Sequence, residues 1–361
     1  MLHQLALASR PMVYLERREV APMPDALSRR FPSLRLEHLP LGDFPTPVER
    51  LSLPGGGGFW VKREDRASTL YGGNKLRKLE WLLPAARARG GLLSLGGVGS
   101  NYLVACALHG ALHEVPLDAI LFPQPDTEHA RENARVLVSR SRVWPVNSEL
   151  LAPLGGLRAL RAIRAEGRPR PLMVWAGGSS ALGSLGWVSA ALEIKEQVDR
   201  GEMPPPTDIV VTLGSGGTVA GLLLGLEIAG LDCRLHAVRV VDALFANRHI
   251  VTWLARGSAA LLRRSGAEVP EPSARRLVVH DGFFGPGYGH PTEAGLAAMR
   301  LGSELGMGLD PTYTGKTFAA VVEGARSGWF GPEVLFVNTL SAARPPAGQQ
   351  ALPPEVAGLL R

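Results

Sequence analysis

From Phe59 onward, short β-prone apolar runs alternate with stretches whose apolar residues recur at helical spacing, the pattern of an α/β protein. Phe59 to Lys62 reads as a strand. Leu76, Leu79, Leu82 and Leu83 share one helical face, with Asn74 as the predicted N-cap and Pro84 and Gly90-Gly91 as the breakers. Leu92 to Leu95 reads as a buried strand, the loop Gly96 to Asn101 follows, a helix runs through Ala111, and Leu117 to Phe122 forms the next strand. The same order returns later: strand Ile209 to Leu213, loop Gly214 to Thr218, helix to Ala229, strand Leu235 to Val241. Each unit thus places a glycine-rich loop at the carboxyl end of a strand, where helix N-terminal amides gather and open parallel sheets bind ligands. Met1 to about Pro40 is predicted to be an irregular arm, Pro204-Pro205-Pro206 an exposed connection, and Arg344 to Gln350 a linker, and no solenoid repeat is visible.

A length of 361 residues allows two domains or one large one, each with a real core. The 43 glycines and 29 prolines make up about a fifth of the chain, below the level that signals disorder. No apolar run reaches the roughly 18 residues of a membrane span, since Val219 to Leu231 is interrupted by Glu227. The first ten residues lack the basic start of a secretory signal, so the expected location is cytoplasmic. Two cysteines, Cys106 and Cys233, are too few for a disulfide framework and lie in apolar surroundings. The net charge of +6 comes from scattered arginines without a dense basic run, which argues against nucleic acid. Lysine is scarce: Lys62, Lys75, Lys78, Lys195 and Lys316 are the whole set, and three of them sit in or beside glycine-bearing motifs.

Two of those motifs carry candidate chemistry. In Gly214-Ser215-Gly216-Gly217-Thr218 small residues let backbone N–H groups converge on an anion, and Thr218 adds a hydroxyl; the alternative is a tight turn that only packs a helix. In Tyr71 to Glu80, Lys75 stands at a helix start, where the macrodipole and burial both disfavour its ammonium and so favour an amine nucleophile. Lys78, one turn on, can reach a phosphate held nearby, while Arg77 and Glu80 read as a local ion pair. A solvated basic helix start is the alternative. His109 and His113 have i, i+4 spacing but lack the companion glutamate of a zinc motif, and no metal is expected. Ser179 and Ser180 lack a His/Asp arrangement and are expected to shape a small domain or its hinge.

Four segments in order, Gly72 to Glu80, Gly214 to Thr218, Gly285 to Thr292 and Asp310 to Lys316, resemble the pyridoxal-phosphate-dependent D-cysteine desulfhydrase and 1-aminocyclopropane-1-carboxylate deaminase family. The resemblance runs from about Pro45 to Thr339 and takes in Pro45 to Val48, Lys62 to Asp65 and Gly177 to Gly183. It implies a tryptophan-synthase-β-like α/β fold (fold type II) of two open, twisted, mostly parallel sheets flanked by helices. The larger, cofactor-binding domain would comprise residues 1–76 and 190–361, and a smaller αβα domain, 77–189, would close over the substrate. Carried over to this chain, Lys75 would be the Schiff-base lysine, and Lys78 with Gly214, Ser215, Gly216, Gly217 and Thr218 would bind the phosphate of pyridoxal 5′-phosphate. Asn101 would meet the pyridoxal 3′-oxygen, and Ser100, with neighbouring loop amides, Tyr102 and Tyr288, would receive the substrate. Tyr288 and Tyr313 would flank the reacting atoms, and Thr314 would face the pyridine nitrogen, where the deaminase branch carries Glu. A neutral hydroxyl there suits β-elimination better than ring opening. The resemblance therefore implies a lyase acting on a small amino acid such as D-cysteine, cytoplasmic and homodimeric. The alternatives are a deaminase, a β-replacement enzyme or a racemase of changed substrate, or a homologue that binds the cofactor without turnover.

The substrate loop departs from the family pattern. Relatives read Gln-Ser-Asn-His with Arg two residues later, where this chain reads Gly99-Ser100-Asn101-Tyr102-Leu103-Val104. The expectation is a pocket enlarged beside Ser100 and of altered polarity at Tyr102. Asn338-Thr339-Leu340-Ser341 likewise replaces His-Thr-Gly-Gly.

Overall fold

The computed structural model describes residues 24–54, 56–345 and 350–361. Its strands are β1 (Val48–Ser52), β2 (Gly58–Lys62), β3 (Leu92–Gly97), β4 (Leu117–Phe122), β5 (Arg142–Pro145), β6 (Leu172–Val174), β7 (Asp208–Leu213), β8 (Arg234–Arg239), β9 (Leu277–His280) and β10 (Val334–Val337). Its helices are α1 (Ala26–Arg30), α2 (Asn74–Ala88), α3 (Asn101–Leu112), α4 (Glu128–Arg140), α5 (Ala152–Ala165), α6 (Leu185–Asp199), α7 (Gly217–Ala229), α8 (Arg248–Arg264), α9 (Glu293–Glu304), α10 (Thr314–Arg326) and α11 (Pro354–Ala357).

The strands form a six-stranded sheet in the order β1-β2-β10-β7-β8-β9 and a four-stranded sheet in the order β5-β4-β3-β6. Every pairing is parallel except β1 with β2. The central strands are buried along their whole length, as expected when helices cover both faces, and this is why they read as continuous apolar runs. One face of the larger sheet packs on α6, α7 and α8 through Leu192, Leu222 and Leu254, and the other on α9 and α10 through Ala298 and Phe318. The smaller sheet is covered by α2, α3 and α4 on one side and by α5 on the other.

Three local expectations change. Helix α2 continues through Pro84 to Ala88: the hydrogen bond lost at the proline nitrogen and the crowding of the carbonyl four residues earlier are outweighed by the tertiary packing that buries this face. Residues 24–40 are not wholly irregular: α1 is capped by Asp25 and buries Leu27 against the larger core, while residues 1–23 of that arm lie outside the described residues. Beyond the linker-like stretch, of which 346–349 are not described, the chain ends on the smaller sheet's core, where Val356 and Leu359 are buried. The domain boundaries expected at 76/77 and 189/190 lie within α2 and α6.

Those two helices are bolted together by a buried ionic network. Arg77 of α2 makes a two-pronged contact with Glu64 (2.7 and 2.8 Å) and reaches Glu193 of α6 at 2.8 and 3.1 Å. Lys62 at the end of β2 completes it, 2.5 Å from Glu193. Arg77 is therefore not paired with Glu80, whose carboxylate instead accepts the N–H of Leu41 at 2.9 Å and faces His38. Burial raises the Glu80 carboxyl, and His38 partly offsets this. Arg77 and Lys62 hold the Glu193 carboxyl down at about 2, overcoming the opposing effect of its burial.

Candidate active site

The carboxyl ends of β3 and β7 open onto one cavity. Lys75, Lys78, Ser100, Asn101, Tyr102, Gly214, Ser215, Gly216, Thr218, Tyr288 and Tyr313 all line it, so residues far apart in sequence meet on one wall. Gly217 and Thr314 stand behind that wall. The Gly217 N–H donates to Ser179 Oγ at 2.9 Å. The Thr314 hydroxyl, expected at a pyridine nitrogen, instead donates to Asp310 Oδ2 and accepts the Asp310 N–H, both at 2.8 Å, inside the cap of α10. At this helix start the wall is formed by Asp310 and Tyr313.

The anion-attracting end is built from α7 and α2. Helix α7 begins after Gly216, whose φ of 87° and ψ of −25° are left-handed; its first N–H, that of Gly217, is taken by Ser179 Oγ, and the next first-turn amide, that of Thr218, lies at the cavity with the positive end of the helix dipole. Lys78 is fully buried; its Nζ donates to Gly177 O at 2.9 Å and has no carboxylate partner. Burial and the neighbouring Lys75 charge hold its pKa well down. An unpaired buried ammonium beside a helix start is a site for a dianion. Gly177, at φ 68°, lets its loop pass between these groups: a Cβ there would lie 2.2 Å from Ser215 Oγ.

Lys75 is the second residue of α2, and its amine opens on the cavity without a hydrogen-bond partner. Burial lowers its pKa to about 8, against a smaller opposing pull from Asp310. In the same cavity, Tyr288 Oη and Tyr313 Oη lie 2.5 Å apart with their rings edge to face. Burial raises both phenols, so they remain protonated donors at neutral pH. Ser100 caps α3, accepting the Leu103 N–H at 3.4 Å, which leaves first-turn amides of this helix at the cavity. Asn101 Oδ1 accepts from Tyr71 Oη (3.1 Å), His129 Nε2 (2.7 Å) and Asn133 Nδ2 (2.8 Å).

The departures in the substrate loop have a different consequence from the one expected. Space beside Gly99 is not enlarged: a Cβ at 99 would lie 2.6 Å from Ala130 Cα, and Gln124, from the segment after β4, donates no room because its Oε1 accepts the Gly99 N–H at 3.2 Å. Tyr102 lines the cavity, yet its ring is buried in the smaller sheet's core. Ser341 replaces a glycine without filling the site, since its Oγ accepts the Gly72 N–H at 2.9 Å. Sequence reasoning passes over Asp310, which lines the cavity, and Gln124, His129 and Ser179, which contact Gly99, Asn101 and Gly217 at its edge. Asp310 and Ser179 lie in singled-out motifs and so carry a signal; Gln124 and His129 come from segments that none of those motifs includes. His109 is buried and its Nε2 contacts Tyr71 O at 2.9 Å, and no group of three or more potential metal ligands occurs among the described residues.

Two open parallel sheets meeting at a desolvated lysine and an anion cradle define a class, and sequence comparison agrees: residues 39–339 match the family of pyridoxal-phosphate dependent enzymes, to which the chain belongs. It is 36% identical over 324 residues to a D-cysteine desulfhydrase of Klebsiella pneumoniae subsp. pneumoniae, covering 86% of this chain and 94% of that protein. A D-cysteine desulfhydrase of Salmonella schwarzengrund is 35% identical with the same coverage of both. A crystal structure described as an ACC deaminase homologue superposes with a TM-score of 0.74 at 27% identity, over 94% of this chain and 100% of that one. The chain is thus an enzyme that depends on pyridoxal phosphate. The residues present fit that cofactor: Lys75 supplies an amine for its aldehyde, and the buried, unpaired Lys78 with the start of α7 matches its phosphate. No helix among the described residues is long and apolar enough to cross a membrane.

Proposed function

We propose that the protein is a desulfhydrase-type lyase that converts D-cysteine, or a similarly small D-amino acid with a β leaving group, to a 2-oxo acid and ammonia. With D-cysteine and one water the products are pyruvate, ammonia and hydrogen sulfide. The observation that carries this reading is the meeting, in one cavity, of the Lys75 amine with the hydrogen-bonded phenols Tyr288 and Tyr313.

When bound, pyridoxal phosphate supplies an electron sink for the pair left behind as the α-proton departs. The start of α3 at Ser100 orients the substrate carboxylate through helix N-terminal amides. The Lys75 amine, once the substrate amine has replaced it on the cofactor, takes the α-proton, and burial, which lowers its pKa, favours the neutral form that can do so. Tyr288 and Tyr313, sharing one short hydrogen bond, hold a proton at Oη for the departing thiolate. Asn101 fixes the pyridoxal 3′-oxygen, and Lys78 with Ser215, Gly216 and Thr218 holds the phosphate.

The proposal also takes residues 77–189 as the unit that closes over substrate, and a cytoplasmic homodimer as the working form, both carried over from family resemblance; sedimentation tests the dimer. For the reaction, the purified holoenzyme is mixed with D-cysteine, and pyruvate and sulfide are assayed together. Stoichiometric formation of both is expected, with L-cysteine at least tenfold slower. Ammonia released from 1-aminocyclopropane-1-carboxylate, with no sulfide from D-cysteine, would overturn the reading in favour of a deaminase.

A further inference from the structure

We propose that His129, on α4, is a positioning residue for the cofactor: it holds the Asn101 side chain in the single orientation that aims its Nδ2 group into the cavity. The inference rests on the reading of Asn101 as the partner of the pyridoxal 3′-oxygen.

The geometry begins with Asn133. Its Nδ2 carries two hydrogens and lies 2.9 Å from Gly99 O, 2.8 Å from Asn101 Oδ1 and 3.2 Å from His129 Nε2; the two carbonyl oxygens, the nearer acceptors, take both hydrogens. Because that nitrogen can only donate, the atom of Asn101 facing it must be the carbonyl oxygen, and Nδ2 is left for the cavity that Asn101 lines. His129 stands four residues earlier on the same face of α4, and its Nε2 lies 2.7 Å from the same Oδ1, the shortest of the three contacts on that atom. An acceptor that carries only lone pairs requires hydrogen on Nε2, so His129 is the donor in this contact. With Tyr71 as the third donor, the Asn101 carbonyl is polarised from three sides, and its N–H becomes a stronger and better-aimed donor.

The substrate loop explains why this help comes from α4. Position 102, next to Asn101, carries a tyrosine whose ring is committed to the core, and position 99 has no room for a side chain beside Ala130. The loop's own polar side chain, Ser100, accepts the Leu103 N–H as the cap of α3. The first turn of α4, fixed by its Thr127 cap on Ala130 N (3.1 Å), presents His129 at that place.

The test compares holoenzymes by their equilibrium dissociation constant for pyridoxal phosphate and by the position of the bound cofactor's visible band. His129→Leu is expected to weaken the cofactor about threefold to tenfold and to move the band. His129→Gln, whose amide nitrogen reaches the Nε2 position, restores most of the affinity, whereas His129→Asn, whose amide stops at the Nδ1 position, does not. Adding His129→Leu to Asn101→Ala causes no further loss, because the residue acts through Asn101. Wild-type affinity in His129→Leu, or losses that add in the double variant, overturns the proposal alone. Wild-type affinity in Asn101→Ala overturns it together with the reading of Asn101 on which it rests.

Discussion

Replacing Lys78 with methionine separates a cofactor residue from a structural one. The side chain is fully buried, and among the described residues its only hydrogen bond is to Gly177 O at 2.9 Å, with a second cation, Lys75, nearby. Such an ammonium is a liability to the cofactor-free fold, so an apolar chain of similar volume should leave the stability of that form unchanged or raised. Cofactor binding moves the other way. A charge-assisted hydrogen bond to phosphate is worth about 1.5–3 kcal/mol, so pyridoxal phosphate should bind about tenfold to a hundredfold more weakly. The pH dependence carries the same signature. Because the folded-state pKa of Lys78 lies well below the ordinary 10.5, the unfolded chain binds more protons between those two values. This lysine therefore makes the cofactor-free protein gain stability as pH rises toward 10.5, and Lys78→Met should flatten that part of the slope. The assay is denaturant unfolding of cofactor-free wild type and variant at pH 7 and 9.5, alongside cofactor titration. A variant that loses more than about 2 kcal/mol of stability yet binds pyridoxal phosphate normally would refute the reasoning.

Other consequences are as direct. Arg77→Ala strands Glu64 and Glu193 in the core and should cost about 3–5 kcal/mol, read as a large fall in melting temperature. Gly99→Gln drives a Cβ to within 2.6 Å of Ala130 Cα and should destabilise by about 2 kcal/mol and lower turnover of D-cysteine rather than raise it. In the cofactor-free enzyme an amine-reactive label should modify Lys75 ahead of the other lysines that open to solvent, at a rate that climbs as pH passes through about 8 and then levels; mass mapping reads the site. Lys75→Ala should abolish pyruvate formation and the visible band of the bound cofactor together.

Much of this protein can be read from its sequence alone. Apolar runs bounded by glycine mark β3, β4 and β7, because a strand covered on both faces must be apolar throughout. Lys75, Lys78 and Gly214 to Thr218 stand out because glycines and lysines at helix starts leave local, short-range signals. What the sequence could not decide is what each side chain faces across the fold. Arg77 has an obvious neighbour in Glu80 three residues on, yet the fold brings Glu64 and Glu193 to it, and two buried carboxylates that form direct ion pairs with it outweigh one that does not. Thr314 looks placed for the cavity, but a carboxylate four residues earlier takes its hydroxyl into a helix cap. Gly99 looks like an opening, but Ala130 and Gln124 occupy it from another helix and loop. Backbone periodicity and turn chemistry are set within about ten residues of chain, whereas the partner of a buried polar group is chosen by whatever packing brings within about 3 Å, and that choice belongs to the tertiary structure.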